Sequence, residues 1–184
     1  MPTIPLDLKA ALLSMPQTRK DKLLLQLLAP NQLLQDRLRF ELLENGQEGL
    51  EARREKLQNI IQIQASGLYY SAADLLTNLR LVCPQISYHA NVTKDAYGEV
   101  QLLIRLLKEV LFHQKGLLQT YSGATQAIGL FLAKRAEEML RKLQKLPQDF
   151  HVEFEAEVNM VLPLLHASAA GYAARAAGVP TTWS

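Results

Sequence analysis

A chain of 184 residues has length for one domain or one short array of helices, and its 48% hydrophobic content is enough for a substantial core. Charged residues make up 21%, sum to a net charge of +2, and divide evenly: residues 1–92 and 93–184 each hold ten Lys/Arg and nine Asp/Glu. That balance excludes the basic domain or acidic tail that advertises nucleic acid or a membrane surface.

Leucine supplies about one residue in five and recurs at three- and four-residue intervals almost end to end. No segment alternates for long, so the spacing predicts packed helices throughout and no sheet. In chain order, a short helix over Pro5–Leu13 is broken by Ser14-Met15-Pro16. Thr18 with Asp21 reads as a capping box opening a helix over Arg19–Ala29, which Pro30 ends. Asn31 can cap a third helix running to Glu44, with Asn45-Gly46 as its C-terminal signal. The fourth runs from about Gln47 to Ala65 and is closed by Gly67. Ser71 and Asp74 form a second capping box, opening a helix to about Val92 with a kink or break expected at Pro84. Thr93 or Asp95 starts the sixth helix, to about Tyr121. Ser122-Gly123 begins the seventh, to about Leu146. After Pro147 the last runs over about Asp149–Ala177, with a kink expected at Pro163. The expected fold is all-α: one domain over 1–184, an irregular helical bundle or short stacked array of antiparallel helical hairpins, with seven to eight helices joined by short links.

Val100, Leu102, Leu103, Ile104, Leu106, Leu107, Val110 and Leu111 leave the sixth helix only a narrow polar strip. A helix apolar over most of its circumference must be contacted on several sides, so it is expected at the centre. The fourth and seventh helices have one apolar face each and are expected at the periphery.

Cys83 is the only cysteine, which leaves no intrachain disulfide and no Cys-based zinc site. A lone thiol suits a reducing cytoplasm, the expected location. The start, MPTIPLDLKAALL, lacks a basic stretch followed by a long apolar one, so no secretory signal is read there. Val158–Ala174 is the most apolar stretch, but Asn159, Pro163 and His166 interrupt it, and it reads as a buried helix rather than a membrane span.

Chemistry-bearing residues are sparse. Asp149, Glu153 and Glu157 share one face of the last helix beside His151 and Glu155, a pattern able to hold a hard cation. The simpler reading is a solvated acidic face, paired across a hairpin with Arg141, Lys142 and Lys145. No Glu-x-x-His or His-Glu-x-x-His pattern occurs, so no metal and no cofactor is expected. Arg53 and Arg54 flank the apolar stripe of the fourth helix. They read either as ion-pair partners of Glu41 or Glu44, or as a groove contact to phosphate or carboxylate. Arg37 and Arg39 add a further basic cluster, interrupted by Asp36 and Glu41. Tyr88-His89 beyond Pro84 could line a pocket, as could Tyr69-Tyr70. Glu109 and His113 lie one helical turn apart. Cys83 before Pro84 reads as a small buried residue rather than a nucleophile. The candidate binding residues are thus Arg37, Arg39, Arg53, Arg54, Tyr88, His89 and His113, and there is no candidate catalytic residue. The expected role is a protein-interaction or scaffold domain with a protein partner. The alternatives are nucleic-acid binding through scattered Arg/Lys, and a small-ligand or enzymatic bundle.

Overall fold

The computed structural model describes residues 4–44 and 46–183. Among them there are nine helices and no strand. They are α1 (Leu6–Ser14), α2 (Gln17–Leu28), α3 (Gln32–Leu43), α4 (Gln47–Ser66), α5 (Ala72–Thr93), α6 (Ala96–His113), α7 (Gln126–Leu143), α8 (Gln148–Ala167) and α9 (Gly171–Ala176). The all-α bundle predicted from leucine spacing is present.

Local chemistry sets most boundaries. The residue before a proline is pushed out of the helical region, and Met15, ahead of Pro16, is extended at ψ 142°. Asn31 caps α3 by accepting the Leu34 N–H at 3.1 Å. Ser71 caps α5 by accepting the Asp74 N–H at 3.1 Å, and its hydroxyl donates to the Asp74 carboxylate at 2.8 Å. The proposed box at Thr18 and Asp21 does not form. Pro16 precedes the first residue of α2, and its carbonyl accepts the N–H groups of Arg19 and Lys20 at 3.0 Å, so Thr18 is already inside the helix. Gly46 takes φ +48° between α3 and α4. Asn45, the other half of that expected signal, lies outside the described residues.

The sixth and the last of the expected helices end differently from the prediction. The sixth helix stops at His113, and residues 114–120 form turns and bends. Gln114 is buried there. Its amide donates to the carbonyls of Ala65 and Gly67 at 2.6 and 2.9 Å, satisfying the open C-terminal end of α4. The single helix expected over about Asp149–Ala177 divides at Ser168–Ala170, past Pro163, which lies inside α8. The break is tertiary: the Ala169 N–H donates to the Leu118 carbonyl at 2.7 Å instead of continuing the helical ladder. The same turn abuts α7, where a Cβ on Gly129 would lie 2.8 Å from the Ala169 carbonyl oxygen. Only glycine allows that approach.

α6 is central. It packs against α4, α5, α7 and α8, and Leu102, Ile104, Leu106 and Leu107 are fully buried. Each such side chain contributes roughly 1.5–3 kcal/mol relative to an exposed one. The core extends through Leu57 and Ile61 of α4, Leu75 and Leu79 of α5, Met139 and Leu143 of α7, and Val158 and Leu165 of α8. The C-terminal tail returns onto α8. Asn159 donates to the Trp183 carbonyl at 2.9 Å and accepts the Trp183 N–H at 2.7 Å, while the His166 ring lies 3.0 and 3.1 Å from the Val179 and Pro180 carbonyls.

The first three helices behave otherwise, and their sequence gives no warning of it. None contributes a buried residue. α3 lies against α5, and α2 touches α3 sparsely. Leu6, Leu8 and Leu13 of α1 and Leu24, Leu25 and Leu27 of α2 remain exposed.

Candidate functional site

A groove of about 1000 Å³ opens between the end of α3, the first half of α4 and the middle of α5. Leu43, Gly49, Ala52, Leu57, Ile60 and Pro84 give it apolar walls. Glu44, Glu48, Arg53, Lys56, Gln85, Tyr88 and His89 supply the polar ones. The helical repeat explains the α4 side: Gly49, Arg53, Lys56 and Ile60 recur every three or four residues and share a face.

The structure divides the candidate binding residues into those at the groove and those elsewhere. Arg53, Tyr88 and His89 line it. Arg53 forks onto Glu44, with Nε and Nη2 donating at 2.6 and 2.5 Å, and stacks 5.6 Å from the Phe40 ring. The pair closes the α3–α4 corner. Hydrogen bonds from Arg53 hold the Glu44 carboxyl below its usual range. The Tyr88 hydroxyl donates to Asp36 at 2.5 Å, joining α5 to α3. Arg37 strengthens the same contact by donating to the Asn91 carbonyl at 2.9 Å.

Arg54 sits behind the groove wall, in a buried polar network. Its Nε and Nη2 donate to Asp95 at 2.5 and 2.6 Å, and His89 Nε2 lies 3.3 Å from the same carboxylate. Asp95 also caps α6 by accepting the Gly98 N–H at 2.8 Å. One carboxylate thereby ties α4, α5 and α6 together. Burial pushes its carboxyl up, but the hydrogen bonds from His89, Arg54 and the Gly98 N–H outweigh that and hold it well below the usual carboxylate range. The network depends on a glycine, because a Cβ at Gly98 would lie 2.0 Å from Asp95 Oδ2 and 2.5 Å from Arg54 Nε. The His89 ring is 4% exposed, and its Nδ1 is buried without a hydrogen-bond partner.

Arg39 is exposed and takes no part in the groove. His113 lies at the end of α6, 3.1 Å from Glu109, and does not line the groove either. Tyr69 donates to the Gln64 carbonyl at 2.6 Å as a local α4 contact, and Tyr70 is fully exposed. Cys83 is buried, and burial pushes its thiol up to about 11, which suits a packed residue rather than a nucleophile.

The acidic face of α8 meets α6 and not the expected bases of α7. Glu157 pairs with Lys108 at 3.2 Å, and Glu153 accepts the Tyr97 hydroxyl at 2.8 Å. Lys142 binds Glu99 and Glu138 instead. The cause is the central position of α6, whose polar strip reaches both neighbours. No cluster of three or more potential metal ligands occurs among the described residues, and none of their helices is long and apolar enough to cross a membrane.

Reading the sequence missed Glu48, Lys56 and Asp95 as parts of this region. Asp95 carried a usable signal, since an aspartate three residues before a glycine at a helix start can turn its carboxylate onto that N–H. Its partner Arg54 is 41 residues away in sequence. Comparisons with protein-family models, with curated proteins and with solved structures give no match, so a functional reading rests on this chain's own residues.

Proposed function

We propose that the protein is an interaction module that takes an amphipathic helix of a protein partner into the α3–α4–α5 groove. The observation that carries this reading is the groove itself: apolar along its length and rimmed by charges of both signs. Helix recognition of this kind lays an i, i+4, i+7 stripe into an apolar cleft. Among the described residues Glu48 and Lys56 have no salt-bridge partner, and they stand eight residues apart on α4, about 12 Å along its axis. They suit a partner helix with a basic residue towards one end and an acidic one towards the other. Cytoplasmic work fits the lone buried thiol.

Two facts count against the alternatives. The planar forks of Arg53 and Arg54 are each occupied by a carboxylate, so neither is free to grip a phosphate. His89 is paired with Asp95 and its other ring nitrogen is enclosed, so the imidazole that lines the groove offers no free nitrogen for acid–base chemistry. A synthetic helical peptide with leucines at i, i+4 and i+7 and mixed flanking charge tests the reading by amide-shift mapping. Shifts at Ala52, Ile60, Gln85 and Tyr88, abolished by Ala52→Arg, are expected. Absence of binding, or shifts centred on other surfaces, would reject it.

A further inference from the structure

A second, smaller notch of about 340 Å³ opens between α5 and α7 and shares only Pro84 with the helix groove. On α5, Arg80, Cys83, Pro84 and Ser87 stand at i, i+3, i+4 and i+7 and so share a face. On α7, Phe131 and Arg135 stand one turn apart. The groove is rimmed by charges of both signs, whereas the described residues lining this notch include two arginines and no acid.

Its polar groups lack the partners that their counterparts have elsewhere in the fold. Arg53 and Arg54 each fork Nε and Nη2 onto one carboxylate. Arg135 meets Glu138 through Nη1 alone, at 2.5 Å, and Glu138 is shared with Lys142 at 2.9 Å. The Nε–Nη2 edge of Arg135 has no partner among the described residues. The Phe131 ring, 5.5 Å from that guanidinium, steadies the side chain. Arg80 is exposed and meets no carboxylate among the described residues. The hydroxyls of Ser66, Thr77 and Thr93 turn back onto carbonyls of their own helices at 2.8, 3.0 and 2.8 Å, and that of Ser87 does not.

Two guanidinium groups at one notch repel each other, and an anion between them replaces that repulsion with attraction. We propose that this notch binds a phosphate monoester carried on an apolar group. The donor set selects phosphate. One arginine fork satisfies a carboxylate, as Glu44 and Asp95 show. Two guanidinium groups and a hydroxyl, set on two helices, suit three outward oxygens and a charge of about −2. Cys83, Pro84 and Phe131 give the notch an apolar floor for the carrier. The site binds without reacting: burial pushes the Cys83 thiol up to about 11, so no thiolate stands beside the phosphorus. A free small ester and a phosphorylated side chain present the same dianion.

Amide-shift titration of the whole chain with phenyl phosphate at neutral pH tests this, with benzoate as the carboxylate control and a short phosphotyrosine peptide as a third arm. Saturable shifts around Arg80, Ser87, Phe131 and Arg135 are expected, with Ala52 and Ile60 of the groove unmoved. Losing one charge-assisted contact weakens binding by about tenfold, the loss expected in Arg80→Gln. Ser87→Ala is expected to weaken it by a smaller factor. Arg80 is exposed and Ser87 half-buried, so both variants keep the helical circular dichroism of the wild type. Affinity is expected to fall below about pH 6, where the dianion takes up a proton. Equal affinity for phenyl phosphate and the peptide supports the proposal with a free ester as the source. Tighter binding of the peptide, still weakened by Arg80→Gln, supports it with a partner protein as the source. Absence of saturable shifts overturns the proposal, as do shifts that Arg80→Gln leaves unchanged, or benzoate binding as tightly as phenyl phosphate.

Discussion

Gly98→Ala is the most discriminating substitution, because intrinsic propensity and tertiary geometry make opposite forecasts. Replacing glycine by alanine inside a helix ordinarily gains close to 1 kcal/mol. Here the added methyl would stand 2.0 Å from Asp95 Oδ2 and 2.7 Å from its Cγ. Contacts under 3.0 Å do not occur at real Cβ atoms, so the carboxylate must move by about an ångström. It cannot do so and keep the Gly98 N–H at 2.8 Å and the Arg54 fork at 2.5 and 2.6 Å. Breaking a buried ion pair on one side costs roughly 3–5 kcal/mol. Setting the propensity gain against that leaves a net loss of about 2–4 kcal/mol. For a chain of this size that lowers Tm by on the order of 10 °C. Urea unfolding followed by circular dichroism measures it. A second variant isolates the cause: in an Asp95→Ala background the carboxylate clash is removed and the released Arg54 side chain can swing clear of its own 2.5 Å approach, so Gly98→Ala should become neutral or stabilising, a coupling that a double-mutant cycle reads directly. If Gly98→Ala is as stable as the wild type, the Arg54–Asp95–His89 network does not hold α4, α5 and α6 as described.

Other outcomes follow from the same structure. Leu107→Ala, at a fully buried site on α6, should cost on the order of 2–5 kcal/mol in denaturant unfolding, and a loss under about 0.5 kcal/mol would deny α6 its central place. The Asp95 carboxyl is lowered in the folded state, so its contribution is present above the ordinary value of 3.8 and is lost as pH falls through the folded value. Stability should therefore decline with acid below about pH 4 in the wild type and decline less steeply in Asp95→Asn; equal slopes would exclude Asp95 as a source of the acid sensitivity. Cys83 should react with a thiol reagent only as fast as the protein opens, and prompt labelling of native protein would contradict its burial. Duplex and single-stranded nucleic acids should bind at or beyond the weak end of roughly 10⁻⁴–10⁻⁶ M at physiological salt. Submicromolar affinity lost in Arg53→Ala/Arg54→Ala would show that both forks leave their carboxylates for phosphate.

The centre of this fold is legible in its sequence because α6 is apolar on nearly every side, and a helix that must keep Leu102, Leu103, Leu106 and Leu107 dry together needs neighbours on several sides. Caps at Asn31 and Ser71 are equally readable, since both act within three residues. Contacts between distant segments are not. The α8–α9 break comes from a bond between Ala169 and Leu118, two residues whose types carry no hint of it. Pro84 and Pro163 are conspicuous in sequence, and neither ends its helix, so the break after α8 falls where the residue types give no signal. The groove was half visible: Arg53, Tyr88 and His89 could be picked out as chemistry on or near an apolar stripe, but Glu48 and Lys56 look like ordinary surface charges until α5 is set beside them. The leucines of α1 and α2 mislead most. Periodicity says that a helix has a face to cover and is silent on which molecule covers it.

The tail contact on α8 has a consequence for how this chain can change. Asn159 offers one donor and one acceptor side by side, the same pair that a neighbouring backbone would offer, and Trp183 answers with its own N–H and carbonyl. His166 likewise meets main-chain oxygens of Val179 and Pro180. The polar seam therefore reads the path of the tail and not the letters written along it. Substitutions at Thr181 or Thr182 can accumulate without loosening the seam. A proline at position 183, which has no N–H to give, would open it at once.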